Sequence, residues 1–270
     1  MTTTRGLRDR DRAQPITMLT AYDAVTARII DDVGIDVILV GDSMGTAVLG
    51  YESTLPVTIE EITSRTAAVV RGSENALVVA DMPFLSVGVD DSETIRNAGR
   101  MLKEAGADAV KLESGPHTVE ITERLVDLGI PVMAHLGLTP QHVNELGGYS
   151  RQGTTTEAAK EILSLARAHE NAGAFAVVLE HVPANLASQV TEALDIPTIG
   201  IGAGPDCDGQ VLVSMDVMGL TENQPPFAEQ FGDVEQAMTD AVENYKSAVT
   251  EGAFPATDHS HTEEHVDDLD

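Results

Sequence analysis

The chain has 270 residues, enough to bury a sizeable core in one large domain or two ordinary ones. Its 44 acidic and 16 basic residues give a formal net charge of −28, which argues against nucleic acid and anionic membrane as partners, since both are polyanions. No apolar stretch is long enough to span a bilayer and the charged N-terminus MTTTRGLRDRDRAQ has no signal-peptide core, so cytoplasmic residence is the default expectation.

Only Lys103, Lys111, Lys160 and Lys246 are lysines. Acid in excess and lysine nearly eliminated read as a halophilic surface, screened by abundant counterions. Cys207 is the sole cysteine, which rules out an intrachain disulfide and a thiolate zinc cluster.

After a polar arm (1–14), expected to be flexible, ITMLT (16–20) reads as a strand and YDAVTARIIDDVG as a helix stopped by Gly34. DVILVG (36–41) is the second strand. A polar stretch then leads to the helix TIEEITSRTAAVVRG, where Thr58 and Glu61 have capping-box spacing. ALVVAD (76–81) precedes the helix DSETIRNAGRMLKEAG, for which Ser92 is the expected cap. ADAVKLE (107–113) is followed by the helix HTVEITERLVDLG. PVMAHL (131–136) leads through the loop GLTPQHVNELGGYSRQGT into the helix TTEAAKEILSLARAHENAG. FAVVLE (175–180) and the helix PANLASQVTEAL come next, then the strands PTIGIGAG (197–204) and QVLVSMD (210–216). A terminal helix, VEQAMTDAVENYKSAVTEG, closes a domain expected over 15–252. The acidic stretch 253–270 is expected to be a disordered tail, with His259, His261 and His265 solvated.

Eight apolar strands separated mainly by helices require parallel pairing through crossovers. A single-domain α/β (β/α)₈ TIM barrel fits the length, with a doubly wound open sheet as the other arrangement. GIGAG ends a late strand and opens into PDCDG rather than a helix, against a dinucleotide loop.

Four of the strands end on acids: Asp42, Asp81, Glu113 and Glu180. His135 closes PVMAH in the same way. In a barrel the C-terminal strand ends carry the active site. Strand alternation puts Lys111 one layer below Glu113 on the same face. Taken singly, each acid reads equally well as a helix cap or salt-bridge partner. Together, four carboxylates with little cationic balance must protonate or recruit a cation, and oxygen donors without cysteine favour a hard ion such as magnesium. Glu180, after FAVVL, suits a general base whose apolar surroundings raise its pKa. His135 reads best as substrate-facing, with metal ligation or a core position as the other roles.

LVGDSMG (39–45), STLPVT (53–58), VKLESG (110–115), HLGLTPQ (135–141), GGYSRQG (147–153), VLEHVP (178–183) and IGIGAG (199–204) closely resemble the ketopantoate hydroxymethyltransferase family, in register from about Thr17 to about Pro255. The resemblance implies a (β/α)₈ barrel assembled as a homo-oligomer, usually a homodecamer. It implies transfer of a hydroxymethyl group from 5,10-methylenetetrahydrofolate to 3-methyl-2-oxobutanoate through a magnesium-stabilised enolate, giving 2-dehydropantoate on the way to pantothenate and coenzyme A. The implied Mg²⁺ ligands are Asp42, Asp81 and Glu113. The implied 2-oxoacid contacts are Asp42, Ser43, Asp81 and Lys111, with His135 in the pocket and Glu180 as proton acceptor. Ser114, where many relatives have glycine, and His181, where cysteine is common, are departures; a charged His181 would lower the Glu180 pKa. One rival is a metal-dependent 2-oxoacid lyase or mutase of the phosphoenolpyruvate mutase and isocitrate lyase type. That class would bring a cysteine-bearing catalytic loop or a phosphate-binding loop, and the single Cys207, late in the chain, supports neither. The other is a non-catalytic 2-oxoacid-binding paralogue, which would most cheaply have lost its base, whereas Glu180 is present.

Overall fold

A computed structural model describes residues 1–222 and 224–263, without the Leu146 side chain. In chain order the elements are α1 (Thr4–Arg8), β1 (Ile16–Thr20), α2 (Ala24–Val33), β2 (Val37–Val40), α3 (Met44–Ala47), α4 (Ile59–Gly72), β3 (Leu77–Asp81), α5 (Asp91–Lys103), β4 (Ala109–Glu113) and α6 (Val119–Asp127). They continue with β5 (Val132–Gly137), α7 (Val143–Leu146), α8 (Thr156–Asn171), β6 (Ala176–Glu180), α9 (Ala184–Ala193), β7 (Thr198–Ile201), β8 (Gly209–Leu212), α10 (Ser214–Met218) and α11 (Val234–Thr250). The eight strands pair in parallel in chain order, and β8 returns to β1 with Met18 opposite Val211, closing a (β/α)₈ barrel.

Alternation along each strand decides which residues fill that barrel. Ile16, Met18, Val37, Leu39, Leu77, Val79, Ala109, Met133, Ala176, Val178, Ile199 and Val211 form the interior cluster. Residues of opposite parity face the helices: Ile38, Val40 and Val78 pack with Ala27 and Ile30 of α2 and Val69 of α4. Ala134, Leu136, Val177 and Leu179 pack with Ile162 and Ala166 of α8 and with Leu186 and Val190 of α9. Interior parity then carries Asp81, Lys111, Glu113, His135 and Glu180 to the C-terminal rim.

Helix boundaries follow side-chain chemistry. Gly34 ends α2 in the left-handed conformation, φ 91°. Thr58 and Glu61 form the expected capping box at α4. The cap of α5 is Asp90 rather than Ser92: Asp90 is extended and accepts from the Glu93 amide, so Ser92 falls inside the first turn. The last strand is shorter than QVLVSMD, because Ser214 already begins α10, its amide donating to Thr20 Oγ1. Within the first fourteen residues, α1 lays Leu7 into the interior cluster at the barrel floor, and Arg12 donates to the Thr191 and Leu194 carbonyls.

The chain divides into two compact units: Met1–Ser214 with Pro225–Ala228, and Met215–Gln224 with the chain from Glu229 onward. The first contains the whole barrel. In the second, α11 buries no residue and is followed by a short turn at Thr257–His259. His265 and the rest of the tail beyond residue 263 lie outside the described residues. Among those residues no helix is long and apolar enough to cross a membrane.

Candidate active site

Asp42, Ser43, Asp81, Lys111, Glu113, His135 and Glu180 all line one cavity of about 100 Å³ at the C-terminal rim of the barrel. That is smaller than the roughly 300 Å³ at which drug-sized sites begin, and suits a ligand of a few heavy atoms. The lining also has an alkyl part: Leu39, Val178, Ile201, Val211 and Val213.

The polar side chains form a connected row across neighbouring strands. Lys111 Nζ lies 2.8 Å from Asp81 Oδ1, and its other side is 3.5 Å from His135 Nδ1. His135 Nε2 in turn lies 3.1 Å from Glu180 Oε2. An ammonium has no lone pair, so Nδ1 can meet Lys111 only as acceptor; Nε2 is close to Glu180 Oε2 but is not aligned for a hydrogen bond with it. The register explains the row, since Asp81 is level with Lys111 and Glu113 with His135.

Burial disfavours the Lys111 ammonium, but Asp81, Asp42 and Glu113 outweigh it and hold its pKa above the ordinary lysine value. Asp42 is pushed well above the usual carboxylate range by burial and by the charges of Asp81 and Glu113. Excess negative charge in this pocket is therefore a property of the folded chain.

Residues outside the expected set complete the site. The Gln141 amide N–H donates to both Glu113 oxygens at 3.1 Å, and its side-chain nitrogen donates to Asp42 Oδ2 at 2.8 Å and to the Met82 carbonyl at 3.0 Å. His142 Nδ1 lies 3.4 Å from Glu113 Oε2, and that contact raises the imidazole pKa. Tyr22 Oη and Ser43 Oγ share a hydrogen bond of 2.9 Å. Thr54 also lines the cavity, with its hydroxyl buried and unpartnered. The Tyr149 phenol pKa is raised by burial and by the charges of Asp42, Glu180 and Glu113. Gln141 lay within the HLGLTPQ motif; a polar amide after the Pro140 turn at a strand's C-terminal end was the available signal.

The two departures from the family pattern are accommodated locally. Ser114 Oγ donates to the Leu112 carbonyl and accepts from the His135 amide, stitching β4 to β5. His181 adopts a positive φ of 47° and packs edge-on against Phe227 at 5.3 Å.

Among the described residues, no three His, Cys, Asp or Glu side chains are drawn together as closely as a bound ion requires. The physical reason is visible in the contacts: Lys111 lies against Asp81, and Gln141 spans Asp42 and Glu113. The donor chemistry nevertheless fits a divalent cation, because three buried carboxylates share the cavity and Asp42 is destabilised as an anion by the other two.

A sequence model of the family described as Ketopantoate hydroxymethyltransferase matches residues 1–257. The chain belongs to that family. Ketopantoate hydroxymethyltransferases are transferases, and the chain is accordingly an enzyme. The 3-methyl-2-oxobutanoate hydroxymethyltransferase of Haloarcula marismortui is 68% identical over 269 residues, covering 100% of both chains. That of Halobacterium salinarum strain R1 is 65% identical, covering 96% of this chain and 94% of its own. The Geobacter metallireducens enzyme is 52% identical, with coverages of 92% and 93%. Two solved structures share the fold at low identity. A 2,3-dimethylmalate lyase has a TM-score of 0.60 at 17% identity, covering 98% of this chain and 93% of its own. A phosphonopyruvate hydrolase complexed with oxalate and Mg²⁺ has a TM-score of 0.61 at 14%, with coverages of 96% and 93%.

Proposed function

We propose that the chain transfers a hydroxymethyl group to 3-methyl-2-oxobutanoate, with 5,10-methylenetetrahydrofolate as donor and water supplying the hydroxyl oxygen. The products are 2-dehydropantoate and tetrahydrofolate. The observation that carries this reading is a small cavity divided between an acid–lysine row ending at Glu180 and an alkyl wall. A branched 2-oxoacid is divided in the same way, between a charged head and an isopropyl tail.

Asp42, Asp81 and Glu113 would hold Mg²⁺. When bound, the ion supplies Lewis acidity at the keto oxygen and offsets the charge that develops as C3 loses its proton. The Lys111 ammonium, already balanced against Asp81, attracts the substrate carboxylate. Ser43, held by the Tyr22 hydroxyl, offers an oriented hydrogen bond to the same head group. Glu180, whose Oε2 lies 3.1 Å from His135 Nε2 at the end of the row, would accept the C3 proton. Leu39, Val178 and Val211 exclude water from the alkyl side. Water would release the donor's methylene carbon from both nitrogens as formaldehyde, leaving tetrahydrofolate, and the deprotonated C3 then adds to that carbonyl, whose oxygen takes up a proton to become the new hydroxyl.

Glu180→Gln tests the base. The variant is expected to bind 3-methyl-2-oxobutanoate with near-wild-type affinity and to lose deuterium exchange at C3 in deuterated water. Exchange at the wild-type rate would assign proton removal to another group.

The reading includes cytoplasmic residence and self-association as a homodecamer. Support for association comes from two exposed apolar stripes at helical spacing: Val25, Ile29 and Val33 on α2, and Met238, Val242, Tyr245 and Val249 on α11. Sedimentation in concentrated salt is expected to show one large species; a monomer at micromolar concentration would reject association.

A further inference from the structure

Gln141 reaches three of the four acid-bearing strand ends at once. Its main chain meets Glu113 beyond β4, and its two amide hydrogens go to Asp42 beyond β2 and to the Met82 carbonyl, one residue past Asp81. Both carboxamide hydrogens are thereby used. The side chain is anchored on a main-chain oxygen that does not move with the ion, so it can hold Asp42 in one rotamer. Oδ2 is the oxygen carrying the amide; Oδ1 has no such donor.

Resting on the proposed metal site, we propose that Gln141 is a positioning residue that restricts Asp42 to single-oxygen ligation and so sets which divalent ion the site prefers. Turning both Asp42 oxygens toward an ion makes Oδ2 divide its lone pairs between the ion and the Gln141 amide and strains the 2.8 Å contact. Calcium takes six to eight oxygens and uses two-oxygen carboxylates freely, whereas magnesium needs a compact octahedron. A clamp on one oxygen therefore disfavours calcium and costs magnesium little. Groups bonded to ligands in this way tune metal affinity by about 10–100-fold.

The test is calorimetric titration of metal-free protein in concentrated potassium chloride with Mg²⁺ and, separately, Ca²⁺. Gln141→Met keeps the length and the main-chain bond to Glu113 but removes both side-chain donors. Gln141→Glu also removes them and adds an oxygen ligand. The Mg²⁺-to-Ca²⁺ affinity ratio is expected to fall about tenfold in Gln141→Met and further in Gln141→Glu, with thermal midpoints in chelator unchanged. A wild-type ratio in Gln141→Met, or loss of all ion binding in both variants, overturns the proposal. Asp81→Ala in the same titration separates the two levels. If it binds Mg²⁺ as wild type does, the metal reading itself fails and this inference falls with it.

Discussion

His169 shows how one buried side chain sets a pH limit on the fold. Its Nδ1 lies 3.0 Å from Thr122 Oγ1 and its Nε2 3.5 Å from Thr118 Oγ1, and Thr118 also holds the Gly115 carbonyl two residues beyond Glu113. Burial pushes the imidazole pKa down to about 4. The folded chain therefore favours neutral His169. The stability this confers is complete above about pH 6.5 and is lost progressively as pH falls toward 4. Between pH 7.5 and 5 the native state is expected to lose about 2 kcal/mol through this residue alone. His169→Gln, less stable at neutral pH, is expected to lack that increment; urea midpoints of both proteins at the two pH values check it. Parallel losses would assign the acid sensitivity to the carboxylates. Lys111 has opposite effects on the two ligands. Lys111→Met is expected to weaken 2-oxoacid binding about tenfold and to strengthen Mg²⁺ binding, since one positive charge leaves a site shared by an anion and a cation. Titration of each ligand alone reads the two signs, and weakening of both would remove Lys111 from electrostatic balance.

At the scale of elements, local chemistry is legible where the signal is contained in a few neighbouring residues. The Thr58–Glu61 box needs only its own four residues, and Thr58→Ala is expected to cost about 1 kcal/mol in denaturant midpoint measurements. An unchanged midpoint would mean that packing of Ile62 and Val69 alone holds α4. Strands β2, β3, β4 and β6 were legible for a similar reason: apolar runs stop at acids, and parity then sends Lys111 and Glu113 inward together. Misreadings arose where the deciding partner is distant or redundant. In DDSE three side chains offer a capping oxygen, and only the extended backbone of Asp90 selects among them. VLVSMD carries a strand-like composition, yet Thr20, almost two hundred residues earlier, captures the Ser214 amide. Leu7, an isolated apolar residue in a charged arm, reveals its burial only in the folded chain, where it joins the barrel's interior cluster. Gln141 follows the same logic, because its worth depends on three strands meeting at one loop.

At the scale of the molecule, charge divides into two populations that respond differently to salt. Among the described residues the buried acids are Asp31, Asp42, Asp81, Glu113, Asp208 and Asp216. Several of them have built-in partners: Asp31 accepts from the Glu74, Asn75 and Ala76 amides, Asp81 faces Lys111, and Asp208 accepts from the Thr198 amide. The net charge of −28 is therefore carried mostly by surface carboxylates, whose mutual repulsion opposes the compact state. Screening acts on that population alone, and the Debye length shrinks from about 10 Å at 0.1 M to about 3 Å at 1 M. Relatives as similar as those of Haloarcula marismortui and Halobacterium salinarum come from halophiles, in keeping with such a surface. The thermal midpoint is accordingly expected to rise steeply with potassium chloride and to flatten near 1 M, where little repulsion remains to be screened. Salting-out of apolar surface has a different signature: it continues to grow with concentration and is stronger for sulfate than for chloride. Matched-ionic-strength series in the two salts distinguish them. Coincident curves that level off support repulsion as the destabilising force, whereas a continuing rise confined to sulfate would place the salt requirement in the apolar core instead.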